Sequence, residues 1–170
     1  MYSEKLLSGL FMKMCEYDNA DPKRIQHFVK VHSFAKQIAL GENFDDNTRF
    51  VLEAASLVHD IGIRKAETLL GRCDGKLQEQ YGPAEAEKML TELGFDSDTV
   101  KRVSFLVGHH HTYTNIDSND YRVLIEADFL VNLYEDGEGL AAIKAAYGKM
   151  FRTETAKKLC RDMFGIEGGQ

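Results

Sequence analysis

The chain has 170 residues, 44% hydrophobic and 28% charged, which is enough for one ordinary domain with a real core. Its formal net charge of −6 excludes a general nucleic-acid or membrane-surface binder, because such binding rests on a basic face that neutralises phosphates. The three cysteines, Cys15, Cys73 and Cys160, are widely spaced and form no CxxC pair, which excludes a disulfide framework and a cysteine zinc site.

The N-terminal stretch MYSEKLLSGLFMKMCEYDNA has no uninterrupted apolar core of signal-peptide type. No segment approaches the roughly 20 apolar residues that span a bilayer, so a cytoplasmic protein with free thiols and no membrane partner is expected. Both prolines, Pro22 and Pro83, stand where a helix can begin, in DPKRIQ and GPAEAE. Apolar residues at three- and four-residue spacing predict a helix through Ile25, Phe28, Val29, Ala35 and Ile38, and another through Val51, Ala55 and Val58. The pattern repeats over 84–93, 97–110, 118–134 and 138–149, and nothing alternates as a strand does. The expected fold is all-α. Residues 69–83, LLGRCDGKLQEQYGP, are predicted to form a long connection or flap, and the terminal GIEGGQ to fray.

Three places on these helices carry chemistry. His27, Val31, Phe34 and Ile38 share one helix face, so His27 points inward; it is either a core histidine satisfied by a backbone carbonyl or a ligand. In SLVHDIGIRK an apolar helix closes on His59 and Asp60. Adjacent side chains of a regular helix diverge by about 100°, so both reach one point only where the helix ends, and Gly62 supplies that ending. Asp128 follows Leu124 and Ile125 by four and three residues on a face that ought to be core. A carboxylate there costs about several kcal/mol unless it is paired or bound to a cation. Asn132, one turn on, is placed to orient it. In VSFLVGHHHTYT, His110 and His111 continue the inward helix spacing, while His109 is assigned to solvent. His32 is read as surface or as a support to the site.

Taken together, His27, His59, Asp60 and Asp128 form a mixed nitrogen and oxygen ligand set suited to one divalent transition metal (Mn, Fe, Co, Ni or Zn). The order His27, then the doublet His59-Asp60, then Asp128 resembles the H…HD…D signature of the HD-domain superfamily of metal-dependent phosphohydrolases. RIQHFVKV, AASLVHDIG and YRVLIEADFLVN are similar to its first, second and last motifs. The stretches QEQYGPAEAEKML and LVGHHHTY resemble the intervening segments of small bacterial members. The resemblance covers about residues 22–135. It implies a single-domain helical bundle, 1–170, of about five core helices with C-terminal helices over 136–170. It also implies a metal on the four matching residues and hydrolysis of phosphate esters or anhydrides, often of nucleotides.

Two-metal members carry a further histidine where this chain has Gln78 and Glu79, although His110 or His111 offers a donor to a second ion. Some nucleotidases of the superfamily carry a glutamate where this chain has Ile63.

The expected activity is hydrolysis of a phosphate ester or anhydride of a small molecule, with a nucleotide as the expected substrate, by metal-activated water. Asp60 would steer that water, and His110 or His111 would protonate the leaving oxygen or clamp phosphate. Arg64 and Lys65 are read either as phosphate contacts or as a solvated surface pair. Alternatives are a di-iron oxygenase of the same fold, which would need further ligands, and a non-catalytic metal- or nucleotide-binding regulatory module. No nucleic-acid duplex is an expected partner, and an exposed apolar helix face leaves a homodimer open.

Overall fold

The computed structural model describes residues 2–167. Among these the chain forms nine α-helices and no strand: α1 (Tyr2–Tyr17), α2 (Pro22–Gly41), α3 (Asp46–Val58), α4 (Gly62–Leu70), α5 (Gly75–Leu93), α6 (Ser97–Val107), α7 (Asn119–Glu135), α8 (Leu140–Met150) and α9 (Glu154–Phe164). Short polar residues start several of them. The side chains of Asp21, Asp45, Asp74, Asp96 and Thr153 each accept a hydrogen bond from a first-turn backbone N–H, satisfying donors that have no partner within the helix. Gly71 and Gly94, at φ 67° and 85°, close α4 and α5 in the left-handed conformation.

Burial separates the central helices from the flanking ones. Every residue of α3 from Val51 to Val58 is buried. On α7, Leu124, Ile125, Ala127, Leu130 and Val131 are buried around most of the circumference, as in a helix enclosed on all sides. Helix α2 packs on α3 and α7, and α6 on α3 and α5, with α1 and α9 completing the cover. One apolar cluster runs from Leu10 and Met14 of α1 to Ala156 and Cys160 of α9. No helix among the described residues is long and apolar enough to cross a membrane.

Several boundaries differ from the sequence expectation. The long connection over 69–83 is mostly helix: α5 starts at Gly75, capped by Asp74, and Pro83 lies inside it. Pro83 forfeits one helical hydrogen bond. Its ring meets the backbone at Gly108, where an added Cβ would lie 3.0 Å from Pro83 Cγ. Gly62 opens α4 rather than closing α3. A Cβ there would lie 2.6 Å from Gln78 O and 2.7 Å from Gly82 N, so its smallness lets α4 and α5 approach backbone to backbone. Helix α6 stops at Val107, and His109–His111 form a turn beyond it. Of the terminal stretch expected to fray, residues 168–170 lie outside the described residues.

Asp18 sits just past the carboxyl end of α1, only 6% exposed, where the helix dipole also disfavours a negative charge. Burial pushes its carboxyl up to about 6, against the lowering pull of Arg24 and Arg64. An acid whose pKa rises on folding costs stability above its folded pKa, and that cost is lost as pH falls to the unfolded value. Asp18→Asn is predicted to stabilise the protein by about 1–2 kcal/mol at pH 7.5 and by little at pH 4. Melting temperatures at the two pH values check this, and an equal gain at both would refute it.

Candidate metal centre

The turn after α3 sets the site. The N–H groups of Ile61 and Ile63 donate to Val58 O and Asp60 O, each at 3.0 Å, so the chain tightens to three-residue turns. This departure from the α-helix lets His59 and Asp60 face the same point. His59 is fully buried, and its Nδ1–H donates to Ser56 O at 2.9 Å, a carbonyl left free at the helix end. His27, on α2, donates through Nδ1–H to Glu135 Oε2 at 2.9 Å. Glu135 is held in turn by Lys30 Nζ at 2.6 Å. Asp128, on α7, is 4% exposed, and its Oδ1 accepts from Asn132 Nδ2 at 2.9 Å.

With Nδ1 committed on both histidines, the two Nε2 atoms present lone pairs. They lie 3.2 Å from one another. His27 Nε2 is 3.2 Å from Asp128 Oδ1 and 3.5 Å from Asp60 Oδ2, and His59 Nε2 is 3.6 Å from each of the same two oxygens. Four acceptors facing one another repel unless a cation or protons lie between them. A metal with bonds of about 2.0–2.2 Å places neighbouring ligand atoms roughly 3.0–3.6 Å apart, so these residues fit a small divalent transition metal. The local field favours positive charge as well. Burial opposes charging His59, yet Asp60 and Asp128 hold its imidazole up at about 9. Burial would likewise raise the two carboxyls, but His59 and His110 hold Asp60, and His27 and His59 hold Asp128, well below the usual carboxylate range.

A second group of donors adjoins the first through Asp60. His110, buried at the end of α6, donates through Nδ1–H to Val107 O at 2.8 Å, repeating the arrangement of His59. Its Nε2 is 3.4 Å from Asp60 Oδ1. Gln78 Oε1 lies 3.1 Å from His110 Nε2 and 2.7 Å from His111 Nε2. Asp60, His110 and His111 could thus hold a second ion, with Gln78 on α5 standing where the sequence offers no histidine. Glu79 fixes this turn to α5 by accepting from His111 N–H at 3.0 Å and from the Thr112 hydroxyl at 2.9 Å. His109 is outside the site, stacked on Phe105 with ring centroids 4.1 Å apart. His32 is outside it too, 3.0 Å from the buried Glu53.

Arg64 and Lys65 do not line the cleft beside the ligands. Arg64 donates to the carbonyl of Tyr17, whose own hydroxyl donates to Ile61 O at 3.2 Å. Together these tie α1 to the turn that carries Asp60. Lys65 pairs with Glu85 at 3.3 Å. The cations that line the adjoining cleft, about 350 Å³ in volume, are Lys23 and Arg24. Sequence spacing from the doublet missed them because they precede His27 on α2; the cue available was their place within one helical turn of it. Arg24 Nη2 lies 2.7 Å from both carboxylate oxygens of Glu67. Glu135 was missed as well, because its role depends on how α2 and α7 pack.

No protein-family model matches the sequence, and no curated protein matches it. A crystal structure described as a predicted HD superfamily hydrolase, from an uncultured Thermotogales bacterium, superposes with a TM-score of 0.63 at 30% identity. The match covers 95% of this chain and 84% of that one. The chain belongs to the HD superfamily. The all-α fold and the clustered histidine and aspartate donors are those expected of an HD protein.

In this HD protein Glu135 fixes the tautomer and orientation of His27 and raises its basicity toward a metal. Glu135→Gln is predicted to weaken metal binding by about 10- to 100-fold with little change in helix content. Titration of stripped protein with a divalent metal checks this; unchanged affinity would exclude the role.

Proposed function

We propose that this chain is a metal-dependent phosphohydrolase that cleaves a phosphate ester or anhydride of a small molecule. The observation that carries the reading is the four-donor set opening on a cleft that also presents Lys23 and Arg24. His27, His59, Asp60 and Asp128 would hold the metal. Bound there, a divalent transition metal supplies Lewis acidity toward a phosphoryl oxygen and lowers the pKa of water.

The chain's own groups do the rest. Asp60 turns one oxygen toward His27 and His59 and the other toward His110, so it can accept a hydrogen bond from the attacking water and orient it. Lys23 and Arg24 neutralise phosphoryl oxygens, Arg24 by a planar fork that exchanges Glu67 for phosphate. Burial and the neighbouring His110 lower the pKa of the His111 imidazole, which favours a neutral donor to a second ion. That leaves His110 as the group to protonate the leaving oxygen when no second ion is bound. With Gln78 Oε1 in place of an imidazole, a second ion would bind more weakly than the first.

The shared position of Asp60 between two donor groups also favours a second reading, a di-iron site oxidising a carbon centre. The two are separated by stripping the protein with chelator, restoring Mn, Co, Ni or Mg, and assaying p-nitrophenyl phosphate and a panel of natural phosphate esters. Hydrolysis is expected to return with a transition metal. Hydrolysis with no metal at all, or two tightly held irons per chain without hydrolysis, would overturn the phosphohydrolase. Asp128→Ala is predicted to weaken metal binding by about 100-fold or more; full occupancy in that variant would refute the proposed ligand set.

A further inference from the structure

The organic part of the substrate is set by the cleft wall rather than by the metal ligands. At about 350 Å³ the cleft is near the small end of ligand sites, which run from roughly 300 to 1,000 Å³. Among the described residues no phenyl, phenol or indole ring lines it, and Ile63 is its one aliphatic side chain. Tyr113, whose hydroxyl is 3.5 Å from His111 Nδ1, packs edge-on against Phe129 and does not line the cleft. A nucleobase therefore meets neither an aromatic face nor an apolar slot, the usual means of holding a flat ring.

The wall instead offers hydrogen-bond acceptors and negative charge. Beyond the ligand Asp60, four carboxylates line it: Asp21, Glu67, Glu135 and Asp136. Asp21 and Glu67 face Arg24, and Glu135 holds His27 and Lys30. Asp136 has no ion pair among the described residues and is exposed at the end of α7. Asn132 gives its amide N–H to Asp128, which leaves its side-chain carbonyl as a further acceptor on the same wall. Against these acceptors stand two cations, Lys23 and Arg24, enough for one phosphoryl group beside a metal. Each additional phosphate would approach the unpaired Asp136 on a wall whose other carboxylates already engage its cations, and like charges at such range repel.

We infer that the substrate is a phosphomonoester of a small polar alcohol rich in hydrogen-bond donors, a polyol or aminoalkyl group, rather than a nucleotide or a polyphosphate. The inference rests on the phosphohydrolase reading and names the substrate class of that site. Asp136 and Asn132 are then the residues that select the organic group, because an acceptor that a bound substrate covers and leaves unpaired is desolvated without compensation, which lowers transition-state binding.

The test compares kcat/KM of the metal-loaded protein for a hexose 6-phosphate, 2-aminoethyl phosphate, nucleoside 5′-mono- and triphosphates, and p-nitrophenyl phosphate as a reporter without donors. A hydroxyl-rich or ammonium-bearing monoester is expected to exceed every nucleotide by about tenfold or more. Asp136→Lys is expected to lower kcat/KM for that preferred ester about tenfold relative to p-nitrophenyl phosphate, with metal content equal to that of the unaltered protein. A nucleotide at or above the head of the series, or an equal effect of Asp136→Lys on every ester, overturns this inference while cleavage of p-nitrophenyl phosphate leaves the hydrolase standing. If neither p-nitrophenyl phosphate nor any other ester is cleaved with any metal, both fall.

Discussion

The structure depends on a point where four lone-pair donors face one another. His27 Nε2 and His59 Nε2 stand 3.2 Å apart, and each lies 3.2–3.6 Å from Asp60 Oδ2 and Asp128 Oδ1, with both imidazole Nδ1 atoms already committed as donors. Such a set repels itself and favours a cation. Because the donors come from α2, the turn after α3, and α7, the same cation would hold the central helices together, so metal binding and folding share one free energy.

The fold serves that point by using helix ends. Carbonyls without partners at the ends of α3 and α6 take the Nδ1–H groups of His59 and His110, aiming each Nε2 inward. The same logic sets the neighbouring wall. Gly62 allows α4 to touch the backbone of α5 at Gln78 and Gly82, which carries Gln78 to within reach of His110 and His111. Arg64 and Tyr17 tie α1 to the turn bearing Asp60. Arg64, which reads from the sequence as a candidate phosphate contact, thus holds the ligand-bearing turn.

Charge is arranged locally. The chain is acidic overall, at −6, yet Lys23 and Arg24 sit beside the metal set, and Arg24 is kept in place by Glu67 and Asp21. Net charge sets long-range attraction, whereas the chemistry of a cleft follows from the few groups within a Debye length of about 8–10 Å.

The helical class and the inward placement of His27, His59 and Asp128 were legible in the sequence, because apolar spacing of three and four residues marks which face a side chain joins. By itself the sequence determined which donors turn inward and that the chain is all-helical, since those follow from periodicity along one helix at a time. Only the tertiary structure decided that Pro83 lies within α5, that Gly62 serves a backbone contact, that Arg64 and Lys65 turn aside while Lys23 and Arg24 line the cleft, and that Glu135 and Gln78 join the site. Each of these depends on how two helices far apart in the chain cross, and no local pattern records that crossing.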